Sequence, residues 1–142
     1  MKTKSINKLF GLLSIAVLAF AFMAFVAPQD GQKKGAPWEI PSKYAKMENP
    51  YADDADLIKT GKMMYSKHCK SCHGNAGLGD GPKAKQLETF PGDFSSEEFQ
   101  GGTDGELYYK SFVGRDEMPN YEKKIVDDED RWAIINYLRT LK

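Results

Sequence analysis

The chain has 142 residues, which is enough for one ordinary domain and too few for two. Its 20 basic and 20 acidic residues cancel to a formal net charge of zero. A chain without net positive charge has no overall attraction for a polyanion, so we expect no nucleic-acid partner.

The N-terminus has the pattern of a signal peptide or an N-terminal membrane anchor, which we assign to residues 1–27. Three lysines precede an uncharged, mostly apolar run from Leu9 to Ala27. As a helix this run would extend about 28 Å, close to the ~30 Å hydrocarbon core of a bilayer. A signal peptidase needs small residues one and three positions before the cut. Cleavage after Ala27, at the end of the run, would place Phe25 at the second of these positions. We therefore expect a retained anchor, with a cleaved signal as the alternative, and the remaining chain on the periplasmic side of a bacterial membrane.

Residues 28–52 are predicted to form a linker, because prolines and glycines interrupt them. These are Pro28, Gly31, Gly35, Pro37, Pro41 and Pro50. Fully stretched, the linker would reach roughly 80 Å. The rest of the chain, residues 53–142, is predicted to be one small all-α domain, because it has four helical patterns and no convincing strand pair.

The first predicted helix runs from about Asp54 into the cysteine-containing segment that follows it. Its apolar positions share one face at 100° per residue. They are Leu57, Ile58, Gly61, Met64, Tyr65, Cys69 and Cys72. A short second helix is predicted after Pro82, since proline suits a first helical position.

Two further helices complete the predicted domain. The third begins at Thr103, with Glu106 three residues later at the spacing of a capping box, and ends at Gly114. The last opens with an acidic turn near Asp127 and closes near Arg139, and both ends suit the helix dipole. Four modest helices can form only a small hydrophobic core. We therefore expect a large apolar ligand to complete the core of this domain.

Both histidines and both cysteines of the chain lie between His68 and His73. Within this stretch, Cys69, Cys72 and His73 form a C-x-x-C-H motif, which indicates covalent attachment of a c-type haem. Two thiols about one helical turn apart can add to the two vinyl groups of the macrocycle. The adjacent histidine then comes under the iron, so we expect one covalent haem c with His73 as its proximal ligand.

Three alternatives fit the motif less well. A structural zinc site needs four tetrahedral ligands, usually from two separate knuckles, and the sequence has no second cluster. A thioredoxin-like dithiol belongs in a βαβ setting, which the pattern lacks. A disulfide would close only a tiny loop and would leave His73 unexplained. His68 is expected to be a surface or packing residue, because its own helix would hold it away from iron bound to His73.

Met118 is the expected ligand at the sixth position of the iron. It is the only methionine after the motif. It lies in a polar loop, residues 114–120, where an apolar side chain is unexpected unless it has a specific role. The other methionines belong to the signal or anchor, to the linker, or to the helix that precedes the motif. Ligation by His73 and Met118 would raise the reduction potential and block the site where oxygen or peroxide binds.

With these motifs, the chain resembles a class I monohaem cytochrome c of the small bacterial type, over roughly residues 54–141. Gly61 and Tyr65 are similar to the family's N-terminal helix, and Tyr137 and Leu138 to its C-terminal helix. The resemblance implies that these two helices cross closely, with the glycine allowing the approach.

The resemblance also implies roles for residues around the haem. Pro82 resembles the proline whose carbonyl holds the proximal imidazole, here that of His73. Met118 and Pro119 are similar to the family's axial methionine loop. The resemblance therefore implies that Cys69, Cys72, His73, Pro82 and Met118 contact the haem.

The resemblance implies a single-electron carrier in a bacterial extracytoplasmic respiratory chain, and neither an enzyme nor a binder of small-molecule substrates. Residues 59–85 carry six lysines and one acid in a domain that is otherwise acidic. Four of them are expected to frame the haem edge and to favour an acidic redox partner, such as a quinol-oxidising complex or a terminal oxidase. They are Lys67, Lys70, Lys83 and Lys85. The alternatives are a fixed haem subunit of a larger membrane respiratory complex and, more remotely, a haem sensor or haem enzyme.

Overall fold

The computed structural model of the chain describes residues 32–52 and 54–142, and this part is helical with no strand. Two isolated backbone bridges join Lys33 to Thr89 and Arg115 to Met118. The predicted all-α domain is thus confirmed. The helices are α1 (Ser42–Ala45), α2 (Leu57–His68), α3 (Lys70–His73), a 3-10 turn (Ala84–Gln86), α4 (Glu97–Gln100), α5 (Asp104–Tyr108), a π turn (Tyr109–Val113) and α6 (Asp128–Leu138).

Helices α2 and α6 pack against each other and form the centre of the core. Gly61 and Tyr65 are the buried residues of α2, whereas α6 buries every residue from Trp132 to Leu138. Helix α6 is therefore buried around its whole circumference from Trp132 to Leu138. The reason is that α6 is covered on more than one side, by α2 and by α5. Gly61 faces Ala133, so the predicted close crossing of these two helices at a glycine is confirmed.

The capping box predicted at the start of α5 is present. The Glu106 amide donates to Thr103 Oγ1 at 3.2 Å, and the Thr103 amide donates to Glu106 Oε2 at 3.0 Å. The helix continues through the π turn and stops at Gly114, whose φ is 69°. Helix α5 therefore begins and ends on the local signals that its sequence contains.

The C-terminal end of α6 is anchored by a tertiary contact that its sequence does not predict. Arg139 donates to Asp104 at 2.7 Å and to the carbonyl oxygens of Gln100 and Gly102. The charge at this position thus ties α6 to the start of α5, in addition to suiting the helix dipole. Two short helices, α1 and α4, were not predicted, because four residues are too few to form a periodic pattern.

Residues 32–52, which lie within the stretch predicted as a linker, pack against the domain. A compact unit extends from Gln32 to the C-terminus. The side-chain amide of Asn49 donates to Asn136 Oδ1 at 2.8 Å, and the side-chain amide of Asn136 donates to the Tyr51 carbonyl at 2.7 Å. Buried polar side chains need such partners, and Asn136 of α6 finds them in this segment. These residues therefore cannot supply the extended reach that their prolines and glycines suggest.

The apolar run from Leu9 to Ala27 lies outside the described residues. Within the described ranges, no helix has the length and apolar character needed to cross a membrane.

Candidate functional site

The C-x-x-C-H motif forms a single helical turn at the junction of α2 and α3. The amides of Cys72 and His73 both donate to the Cys69 carbonyl, at 3.2 Å and 3.1 Å. Both cysteines are half-buried free thiols in this structure. Burial, together with the neighbouring Cys72 thiol, raises the pKa of the Cys69 thiol to about 12. The two cysteines are thus about one helical turn apart, as the motif predicts.

The imidazole of His73 is buried, neutral and available as a metal ligand. Only 8% of the residue is exposed, and its ring stacks on Phe94 with centroids 4.6 Å apart. Burial lowers the pKa of His73 to about 4, and the nearby backbone of Pro91 acts in the opposite direction. The neutral imidazole is the form that binds metals. Its Nδ1 has no hydrogen-bond partner among the described residues, and a buried atom of this kind needs an explanation.

The contact expected between the Pro82 carbonyl and His73 is not among the hydrogen bonds of the structure. Pro82 itself is exposed, and the loop around it is held by backbone bonds to the motif. Gly81 donates to the Cys72 carbonyl at 3.1 Å, and Lys83 donates to the Ser71 carbonyl at 2.9 Å. The loop therefore lies against the motif, while the role of Pro82 toward the imidazole stays a prediction.

One cavity brings Cys69, His73 and Met118 together, although they come from distant parts of the sequence. Its other walls are mainly aromatic and aliphatic, and Cys72 is not part of its lining. They include Tyr65, Phe94, Phe112, Tyr121, Ile125 and Leu138. A thiol, a neutral imidazole and a thioether in apolar surroundings are the donor set of a c-type haem with two axial ligands. The residues present therefore fit the group.

The cavity is narrow, at about 20 Å³. Its walls would have to part for a macrocycle to lie between His73 and Met118. The segment that carries Met118 is a turn at the surface, whereas His73 belongs to the packed junction of α2 and α3. The contacts that hold the surface loop therefore determine where Met118 lies relative to His73.

The loop that carries Met118 is closed by backbone contacts of its own. Arg115 and Met118 exchange two amide-to-carbonyl bonds of 2.8 Å, and the Tyr121 amide donates to the Phe112 carbonyl at 2.9 Å. A Cβ on Gly114 would lie 2.2 Å from the Met118 carbonyl oxygen, and φ at this glycine is +69°. No other residue type fits at position 114 without moving the loop.

Phe94 and Tyr121 are among the cavity residues that were not identified from the sequence. Phe94 stacks on His73, and the Tyr121 hydroxyl donates to the His68 carbonyl at 2.9 Å. Tyr121 follows Met118 by three residues, so its place in the same loop was the only available signal. His68 packs its ring edge-on to Tyr121 and does not line the cavity, in agreement with a packing role.

The four lysines expected to frame the haem edge are all exposed. None of them forms an ion pair with another residue in the described ranges, so their charges are available to a partner. They are Lys67, Lys70, Lys83 and Lys85.

Comparison with known proteins agrees with this site. Residues 58–142 match the model of a protein family described as "Cytochrome c". The matched range contains the C-x-x-C-H motif, the loop that carries Met118 and helix α6. No curated protein matches the chain.

Proposed function

Since the chain belongs to the cytochrome c family, which binds haem c covalently through the C-x-x-C-H motif and transfers electrons with it, we propose that it is a single-electron carrier with His73 and Met118 as axial ligands. Cys69 and Cys72 attach the haem. When bound, the haem supplies an iron that gains and loses one electron. The protein supplies attachment, ligands, a dry surround and a docking surface.

The observation that carries the proposed ligation is the shared cavity of His73 and Met118. Among the described residues, no other methionine lines it. Met63 is 64% exposed on α2, and Met47 and Met64 are packed against the core away from the cavity lining. A thioether is a soft, neutral ligand and favours the reduced iron more than a second imidazole would. With both axial positions taken, small molecules such as oxygen have no site at which to react.

The walls of the cavity would also affect the reduction potential of the haem. Aromatic and aliphatic side chains exclude water, and a surround of low polarity disfavours the more charged oxidised state, which raises the potential. His73 stays neutral in its buried position, so it needs to lose no proton in order to act as a ligand. These properties suit an electron carrier.

We place the carrier outside the cytoplasmic membrane, on its periplasmic side, with residues 9–27 as an anchor. Cytochrome c domains are typically extracytoplasmic. An acidic redox protein is the proposed partner, either a quinol-oxidising complex or a terminal oxidase of a respiratory chain. The support for this choice is the set of exposed, unpaired lysines near the motif.

Substitution of Met118 by alanine tests the proposed ligation. The variant should keep its haem, because Cys69, Cys72 and His73 are unchanged, but it should bind carbon monoxide readily in the reduced state. The oxidised wild type should have the weak near-red absorption band of an iron–methionine bond, and the variant should lack it. Met63→Ala, on the exposed side of α2, is the matched control and should behave as the wild type does.

The opposite spectroscopic result would reopen the sensor and enzyme alternatives. A wild-type protein that lacks the near-red band and binds carbon monoxide at once does not use Met118 as a ligand.

A further inference from the structure

The segment Gln32–Trp38, here called the strap, contacts both loops that flank the candidate haem site. Its first residues bind the segment that follows the Pro82 loop. Gln32 Nε2 donates to the carbonyl oxygens of Ala84 and Leu87, and Lys33 pairs with Thr89 in a parallel bridge. Residues 84–90 in turn continue from the loop that is bonded to the C-x-x-C-H turn. The strap is therefore connected to the His73 side of the site.

The other half of the strap binds Arg115, three residues before Met118. The Arg115 guanidinium donates to the Pro37 carbonyl at 2.8 Å and to the Ala36 carbonyl. Its carbon Cζ lies 4.0 Å from the centre of the Trp38 ring, a cation–π contact. A planar group held by two acceptors and a ring has little freedom to move.

Glu117, the residue before Met118, adds a second attachment on the same loop. Its two carboxylate oxygens accept from the amides of Glu88 and Thr89, at 3.1 Å and 2.9 Å. These backbone hydrogen bonds lower the pKa of Glu117. The residues on both sides of the turn therefore bind the strap or the segment that the strap holds, while Arg115 and Met118 pair through their backbones.

We propose that the strap and Arg115 are positioning elements for Met118 and that they hold its thioether against displacement from the haem iron. This inference rests on the proposed role of Met118 as axial ligand. The Met118 turn lies at the surface: Met118 is half-buried, and Asp116, Glu117, Pro119 and Asn120 are exposed. Without the side-chain contact of Arg115, the turn would keep its backbone pairing but lose its link to the strap. Met118 would then be released more often, and an added ligand would compete with it more easily.

The affinity of the oxidised full-length holoprotein for imidazole measures this competition, because imidazole must displace the methionine in order to bind. Arg115→Ala should raise the apparent affinity about tenfold, which corresponds to about 1.4 kcal/mol. Arg115→Lys should act in the same direction, since an ammonium keeps the charge but cannot reproduce the planar two-carbonyl contact. Trp38→Ala should give a smaller rise, because it leaves both carbonyl hydrogen bonds of Arg115 in place.

Lys34→Gln is the matched control on the same strap. It removes an exposed ion pair between Lys34 and Glu98, 2.9 Å long, that does not involve the Met118 turn, and the imidazole affinity should stay that of the wild type. The midpoint of thermal unfolding is recorded for each variant. A purely structural role of Arg115 would lower that midpoint and leave the imidazole affinity unchanged, and this result would overturn the inference.

Failure of the inference and failure of the proposed ligation give different results. If the wild type has the near-red band, Met118→Ala loses it, and both Arg115 variants bind imidazole as the wild type does, then only the role of the strap is refuted. If the wild type itself lacks the band, the ligation by Met118 is refuted and the role of the strap falls with it.

Discussion

Gly61 of α2 lies directly against the backbone of Ala133 of α6. A Cβ added to Gly61 would stand 1.9 Å from the Ala133 carbonyl oxygen and 2.9 Å from Cβ of Tyr137. The nearest obstacle is backbone in the middle of a buried helix, so it cannot rotate away as a side chain could. The crossing of the two central helices therefore depends on the absence of a side chain at position 61.

Gly61→Ala should consequently destabilise the folded protein, although alanine is the better helix former. We expect a loss of about 2–3 kcal/mol in the free energy of unfolding, at the upper end of typical overpacking costs. Chemical denaturation of the holoprotein measures this loss. Lys62→Ala, at the exposed neighbouring position, should leave the stability within about 0.5 kcal/mol of the wild type. A Gly61→Ala protein as stable as this control would contradict the close crossing.

The haem should remain with the polypeptide after denaturation and extraction with acidified organic solvent. The reason is that Cys69 and Cys72 would hold it by thioether bonds, which denaturation does not break. The mass of the wild-type chain, produced in a host able to mature c-type cytochromes, should be increased by one haem. The double variant Cys69→Ala, Cys72→Ala should have the mass of the bare chain, and His68→Ala should keep the haem. An unmodified wild-type mass would be incompatible with covalent attachment.

Association with an acidic redox partner should slow as ionic strength rises, since salt screens the exposed lysines over a Debye length of about 10 Å at 0.1 M. Glutamine at four positions should flatten this dependence in stopped-flow electron-transfer measurements. The four positions are Lys67, Lys70, Lys83 and Lys85.

A variant with the same change in net charge controls for non-specific effects. It carries glutamine at Lys43, Lys46, Lys123 and Lys142, which are exposed elsewhere on the domain. This control should retain most of the salt dependence of the wild type. Rates that are insensitive to salt and to all eight lysines would indicate that the lysines are only solvated surface, or that the partner is held in a permanent complex.

The full chain should fractionate with membranes and resist washing with high salt and alkali, because the apolar run 9–27 is long enough to span a bilayer. N-terminal sequencing of the haem protein from the membrane fraction should find the run intact. Ala19→Arg should weaken retention of the protein in the membrane, since a charge within the apolar run is costly in the bilayer. A water-soluble protein that begins near Phe22 or Pro28 would identify the run as a cleaved signal peptide.

Local sequence determined those features that need only neighbouring residues. The capping box of α5 forms from Thr103 and Glu106, and the motif from Cys69 to His73 forms within one helical turn, because all their partners lie three or four residues apart. The pairing of α2 with α6 could also be expected, because the resemblance to a known family implied it.

Tertiary structure alone decided how residues 32–52 are used and which aromatic residues line the cavity. Prolines and glycines in that segment predict a linker, since composition reports backbone freedom and not distant partners. Yet its polar side chains and carbonyls meet Arg115, Asn136 and the 84–90 loop, which lie far away in the chain. Phe94 likewise had no local signal, because its place beside His73 depends on how two loops fold together. A contact between residues dozens of positions apart leaves no periodic trace in the sequence, so only the packed chain reveals it.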